Sequence, residues 1–512
     1  MQCIVFTDSK RLAVKYRVSQ QDVLSILQQN LCDNQNIKFL ILDASEYPEE
    51  LGHNPRYVEY KNIIADFMLG MGISPSPKLS LFIVGGDDVI PMPRIVSPIN
   101  NEELLQADIL YCFKDENMSC LNFYEALYNV GRLPLESGSL PSELRDDLQS
   151  YFNLSNIVLN KGISVDTVLM TSTESWLPAS NDMVRGFPVT IIPKISEATN
   201  GNMYISPRLS VDDYYVIKHY KCDIGKADLL MFNLHGSDVR GYSSFYGEGL
   251  NGHNTPEAFT CDMLKDSRAR IINTVACFGG RYIGYSRNDS MLLSAMYGGG
   301  VLLYAGSSSS ALGRTGKIHH VAQDVLMPSG YSESFMKLYT LYLFKGISAG
   351  EAFLSAKCDY FNLCHHQDGD DRALATVLMF NLFGMPILRV NKNEDVIQEV
   401  RGIKQYKPLT KSKAYAYKRL NDISTAPPIS LLEQVRFAVD SNLQFIRNFV
   451  ESNLYKYWGL DPRYISRIDE IICDSIPSGY RFEYITPGSV VSKRSWAYID
   501  KKGNVEDVVH FK

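Results

Sequence analysis

The sequence predicts an α/β protein, with two parallel-sheet units side by side and a smaller α+β module after them. Three observations carry this. Short apolar runs alternate with segments of helical period through residues 1–392. The runs are nearly continuous in apolar residues, as expected of parallel strands covered on both faces. The pattern pauses near residue 158 and changes character after residue 392. A chain of 512 residues also exceeds one ordinary core, at roughly 150 residues per domain. The expected units are therefore 1–158, 159–392 and 393–512.

In the first unit, strands are predicted at 3–6, 38–42 and 79–84, with helices at 20–29 and 56–69. In the second, strands are predicted at 167–171, 189–192, 228–234, 270–276 and 301–304. Helical segments are expected at 256–266, 290–297, 333–344 and 349–361, with a closing apolar run at 386–390. The third unit opens with a basic stretch, 401–419, which holds seven Lys and Arg and no acid. A long amphipathic helix is expected at 431–454 and a β meander at 480–512.

Hydrophobic residues make up 45% and charged residues 21%, enough apolar material for a large core. The net charge of −6 gives no global cationic field for nucleic acid or an anionic membrane. No apolar run approaches the ~18 residues that span a bilayer. The N-terminus lacks the basic and apolar regions of a secretory signal. Ten cysteines lie without paired spacing. The expectation is a reducing cytoplasm with free thiols.

Two predicted strand ends carry the chemistry. One runs from Asp228 to His235-Gly236, the other from Arg270 to Cys277 and then Gly279-Gly280. Ligands of open α/β sheets bind at the carboxyl ends of strands. If 256–266 is the crossover helix, His235 and Cys277 stand side by side there. A Cys thiolate can attack a carbonyl carbon, and a neighbouring imidazole can move the proton. The N–H groups of Gly236 and Cys277 are the expected oxyanion donors, Gly236 because it lacks a Cβ. Taken singly, a His-Gly or a buried Cys is ordinarily structural. Their matching places on successive strands are what point to catalysis.

Around these residues the chain resembles the gingipain family of caspase-like cysteine peptidases, over roughly residues 1–392. The resemblance is carried by LFIVGGDDVIP from Leu81 to Pro91, by DILY from Asp108 to Tyr111 and by Gly131-Arg132. It continues through HGSD from His235 to Asp238, Cys277, GISAGEA at 346–352 and NLFGMP at 381–386. It implies two flavodoxin/caspase-like subdomains and cleavage of protein or peptide substrates without a cofactor. It also implies a glutamate after the first strand of the catalytic unit that orients the histidine, here Glu174. An aspartate at the floor of the S1 pocket corresponds to Asp182 and implies cleavage after Arg or Lys. Asp238, beside His235, is the competing acid.

The chain departs from that family in lacking a visible signal and an immunoglobulin-like tail. An intracellular peptidase needs restraint, and Ser307–Ser310 with Gly313–Gly316 is the expected activation or substrate-binding loop. Regulated use implies a defence or cell-death effector, by analogy of fold. The C-terminal unit could dock a regulatory protein. The alternative is a caspase-fold scaffold that binds partners and cuts nothing.

Other clusters point less far. Cys358, Cys364, His365, His366, Asp368, Asp370 and Asp371 fit no zinc spacing and suit a polar loop. No metal is expected. The basic stretch with Tyr406, Tyr415 and Tyr417 suits a solvated linker better than a nucleic-acid surface. His319-His320 reads as a surface pair. No phosphate loop with its lysine is present.

Overall fold

The computed structural model describes the chain except for residues 32–36, 52–55, 114–122, 136–139, 188–189, 192–198, 201–202, 238–243, 251–253, 315–330, 369–370, 394–414, 423–464, 474–475, 487–492, 501–504 and 512. The first unit contains β1 (Gln2–Thr7), β2 (Lys38–Asp43), β3 (Ser80–Val84), the hairpin β4 (Arg94–Ser97) and β5 (Asn100–Gln106), and β6 (Asn129–Leu133). Its helices are α1 (Ser9–Tyr16), α2 (Gln20–Asn30), α3 (Pro48–Leu51), α4 (Tyr57–Gly70) and α5 (Pro141–Leu159). Local chemistry sets their ends. The Asp8 carboxylate accepts the Arg11 N–H at the start of α1, and Ser19 with Asp22 forms a capping box on α2.

The second unit contains β7 (Thr167–Thr173), β8 (Thr190–Ile191), β9 (Thr199–Asn200), β10 (Met203–Ser206), β11 (Leu229–Asn233), β12 (Ser244–Tyr246) and β13 (Glu257–Thr260). It continues with β14 (Ile271–Thr274), β15 (Leu303–Ser307), β16 (Leu312–Arg314) and β17 (Phe380–Gly384). Its helices are α6 (Leu177–Val184), α7 (Tyr214–Ile224), α8 (Met291–Tyr297), α9 (Tyr331–Phe344), α10 (Ala349–Asp368) and α11 (Asp371–Met379). The C-terminal unit supplies β18 (Tyr415–Asp422), β19 (Ile465–Cys473), β20 (Ile476–Thr486), β21 (Lys493–Asp500) and β22 (Val505–Phe511).

The two units share one twelve-stranded, mostly parallel sheet, compatible with a caspase-like fold. Its order is β2-β1-β3-β6-β17-β15-β14-β11-β7-β10-β9, with β8 beside the start of β7. β17 joins the halves, running parallel to β6 and antiparallel to β15. The parallel strands of the two units therefore run in opposite directions. One long edge of the sheet collects the carboxyl ends of β7, β11, β14 and β15. There the first unit contributes strand beginnings and its β4–β5 hairpin.

Residues from four of the quoted motifs outside the His and Cys segments meet in one buried network at the join. Arg132 on β6 is fully buried and grips Asp108 with two nitrogens, at 2.8 and 2.7 Å. Its third nitrogen donates to the carbonyls of Gly85 (3.0 Å) and Ile90 (2.8 Å). Tyr111 donates to the Pro91 carbonyl, and the Asp108 N–H to the Asn381 side chain. A buried guanidinium tolerates loss of water only with its donors satisfied in this way.

Three sequence expectations are corrected. Residues 256–266 form β13 and a 3-10 turn, not a crossover helix. β13 pairs with β12 instead, which turns the connection into a hairpin over the site. The closing strand is β17, and residues 389 and 390 make only isolated bridges. The cysteine-histidine cluster at 358–368 lies on α10, not in a loop, and Cys358 is buried. The predicted helix at 431–454, most of the basic stretch, and His319-His320 lie outside the described residues.

The C-terminal strands form an antiparallel sheet in the order β16-β22-β21-β20-β19-β18. Arg481 reaches from it to the Ile99 carbonyl at 2.6 Å and stacks on Trp496. Arg372 of α11 lies over the Tyr498 ring at 4.4 Å. Among the described residues, no helix is long and apolar enough to cross a membrane.

Candidate active site

β11 and β14 are parallel neighbours, with Phe232 opposite Thr274. The Val275 N–H donates to the Phe232 carbonyl at 3.0 Å and extends the pairing one residue past the end of β14. Continued for three residues, this register sets His235 abreast of Cys277. The approach is close: a Cβ on Gly236 would lie 1.7 Å from the Cys277 carbonyl oxygen. Glycine at 236 is thus required by the neighbouring main chain, a stronger reason than room for substrate.

His235 is held on every side. Its N–H and C=O pair with Tyr246 of β12, both at 2.9 Å. Its Nε2 meets Glu248 Oε2 at 2.8 Å, and Ser175 donates to that same oxygen at 3.0 Å. The Trp176 ring covers one face, with centroids 4.5 Å apart. Both ring and carboxylate are largely withdrawn from water, His235 being 4% exposed and Glu248 9%. A carboxylate on Nε2 leaves Nδ1 as the ring position for proton transfer.

Cys277 opens a tight turn. Phe278 takes a left-handed backbone, φ 55°, which costs a non-glycine residue on the order of 1–2 kcal/mol. The turn is tied to the segment after β15. Phe278 N–H donates to Ser309 (2.9 Å), and Gly280 N–H to Ser307 (2.7 Å). Tyr304 donates its hydroxyl to the Gly279 carbonyl at 2.5 Å. The Ala311 N–H donates to the Cys277 sulfur at 3.1 Å, and Cys277 as a whole is 4% exposed. Strain at the turn is thereby overdetermined by its neighbours.

The structure treats the other expected residues differently. Glu174 follows β7 as expected, and its N–H donates to the carbonyls of Ser206 and Glu248, both at 2.9 Å. The carboxylate on the His235 ring is that of Glu248, however, not Glu174. Asp182 lies on helix α6 rather than in a loop. Its side chain is 33% exposed and pairs with Arg185 at 3.6 Å, a surface ion pair rather than a pocket floor. Asp238 lies outside the described residues. A cavity of about 520 Å³, lined by Glu257, Asp262, Lys265 and Arg287 among others, sits under the β12–β13 hairpin. None of its lining residues belongs to the His–Cys pair.

Comparison with known proteins adds little to this geometry. No family model matches the chain, and no curated protein matches it. Among solved structures, one described as "Structure of Protease" is similar at 10% identity. The alignment covers 100% of this chain and 97% of that one, with a TM-score of 0.48.

Proposed function

We propose that this chain is a cysteine endopeptidase of caspase-like architecture. The single observation that supports the reading is that His235, its ring bonded to a carboxylate, and Cys277 follow the carboxyl ends of adjacent parallel strands, with the main chains of Gly236 and Cys277 in close approach. In this reading Cys277 passes its proton to His235 and attacks the scissile carbonyl carbon. The carbonyl π electrons move to oxygen, which the N–H groups of Gly236 and Cys277 receive. Collapse expels the amine, which leaves with the proton from His235. A water molecule, deprotonated by the same ring, then attacks the thioester and releases the acid and the free thiol. Glu248 orients the ring and stabilises its protonated form.

The gingipain resemblance supports the same assignment through the His235 and Cys277 segments. Cleavage after Arg or Lys follows from that resemblance and not from the position of Asp182. Free thiols at Cys3, Cys112, Cys222, Cys261, Cys277 and Cys358 agree with a reducing compartment, which is part of the reading. So is regulated use in defence or cell death. One observation favours the scaffold reading instead: the nucleophile is covered, with Ala311 on its sulfur.

Fluorogenic peptides varied at the residue before the scissile bond decide between them, tested on wild type, Cys277→Ala and Asp182→Asn, each in a preparation treated so that the wild-type Cys277 is open to alkylation. Hydrolysis lost in the Cys277 variant is expected, with Arg or Lys preferred. Equal hydrolysis by wild type and Cys277→Ala removes the thiol from the mechanism. An unchanged preference in Asp182→Asn removes that residue from substrate selection.

A further inference from the structure

The segment that covers Cys277 is gripped from beyond the catalytic unit. Ala311 sits on the thiol by its N–H at 3.1 Å, with its carbonyl 3.6 Å from the sulfur. The next three residues are β16. Among the described residues β16 takes no place in the twelve-stranded sheet and pairs only with β22. The register sets Leu312 opposite Phe511, Gly313 opposite His510 and Arg314 opposite Val509. β22 is in turn laddered to β21, and so to the whole C-terminal sheet. That sheet is anchored elsewhere by Arg481 on Ile99 and by Tyr498 under Arg372. Main-chain hydrogen bonds are what hold a strand added to a sheet edge; here they act beside side-chain packing, since Ala311 and Leu312 are also buried in the main core.

We propose that the C-terminal sheet is an autoinhibitory latch: by pairing with β16, β22 holds Ala311 on the Cys277 thiol and keeps the site closed. The proposal rests on the peptidase reading for its meaning but not for its test. Two consequences follow from the geometry. Releasing β22 removes the ladder from β16 and leaves only its core packing to hold the residue on the sulfur. The opening need not disturb the Ser308 end of the segment, which is fixed separately by its bond to the Gln106 carbonyl at 2.9 Å.

The test is alkylation of the full-length chain by iodoacetamide, followed cysteine by cysteine with mass spectrometry. Successive residues of a strand direct their N–H groups to opposite sides. Val509→Pro and His510→Pro therefore break the β16 ladder in one case and the β21 ladder in the other. One of them is expected to speed alkylation of Cys277 at least about tenfold while fully buried Cys3 and Cys112 stay protected. No acceleration in either variant overturns the latch. If all three cysteines react together, the variant has unfolded, and a second experiment decides. The pair Arg314→Cys with Val509→Cys, oxidised, staples β16 to β22. Cys277 should then react at least about tenfold more slowly than in the reduced form; equal rates overturn the proposal. Peptide hydrolysis measured in parallel separates the two readings. Faster alkylation without hydrolysis supports the latch and counts against the peptidase. Hydrolysis with unchanged alkylation does the reverse.

Discussion

Glu248 holds the His235 ring through one oxygen, and Ser175 braces that same oxygen. Replacing it with Gln keeps a hydrogen-bond acceptor and removes the charge that steadies the protonated ring. In a latch-released or otherwise active preparation, Glu248→Gln should lower kcat about 100-fold with KM nearly unchanged. Glu174→Gln should stay within about threefold of wild type. Steady-state kinetics on the two variants check this, and the reverse ranking would return the orienting role to Glu174. His235 and Cys277 stood out because each ends an apolar run with glycine within two residues after it. Glu248 was not, since it lies between Gly247 and Gly249 in a polar stretch with no period. What brings it to the ring is the backbone pairing of His235 with Tyr246, a contact no local pattern announces. The expectation for Glu174 came close in space, for its N–H touches the Glu248 carbonyl.

Among the elements, α10 and β17 are fastened by Lys357. Its amine donates to the carbonyls of Val377 and Phe380, where α11 ends and β17 begins, and lies over Phe353. Burial pushes its pKa down to about 7. A neutral amine still has the two N–H groups these carbonyls need. Between that value and the unfolded value of about 10.4, the unfolded chain binds a proton that the folded chain does not. Stability should therefore rise with pH across this window and be lost as pH falls toward 7. Urea midpoints at pH 7, 8 and 9 should climb in wild type. In Lys357→Met the climb should flatten, and two orphaned carbonyls should cost about 1–3 kcal/mol at pH 9. A parallel pH profile in the variant would assign the slope to other groups. The strands of the sheet were readable because parallel strands buried on both faces are apolar throughout. β13 was not: the sequence 256–266 has a helical spacing of apolar residues, and only its pairing with β12 overrides that preference.

At the scale of the molecule, the Arg132–Asp108 pair braces the first unit where the second joins it, since the Asp108 N–H also donates to Asn381 of β17. Asp108→Asn leaves a guanidinium with no countercharge in a fully buried site. The expected loss is about 3–5 kcal/mol, read as a lower urea midpoint. A loss under about 1 kcal/mol would show that the carbonyls of Gly85 and Ile90 suffice. The motif residues were visible in the sequence as a series, but their common purpose was not. Asp108 and Asn381 lie 273 positions apart, and only the fold shows that they share a bond. The opposed direction of the two strand sets was equally hidden, because strand order and sense depend on pairings and not on the strands' own composition.

That separation also governs how the chain can come off a ribosome. β6 has no β17 beside it until residue 384 has been made. At roughly 5–20 residues per second, the first unit waits through tens of seconds of translation with one flank of its sheet unmatched. The middle of the finished sheet is thus the last part of it that can close.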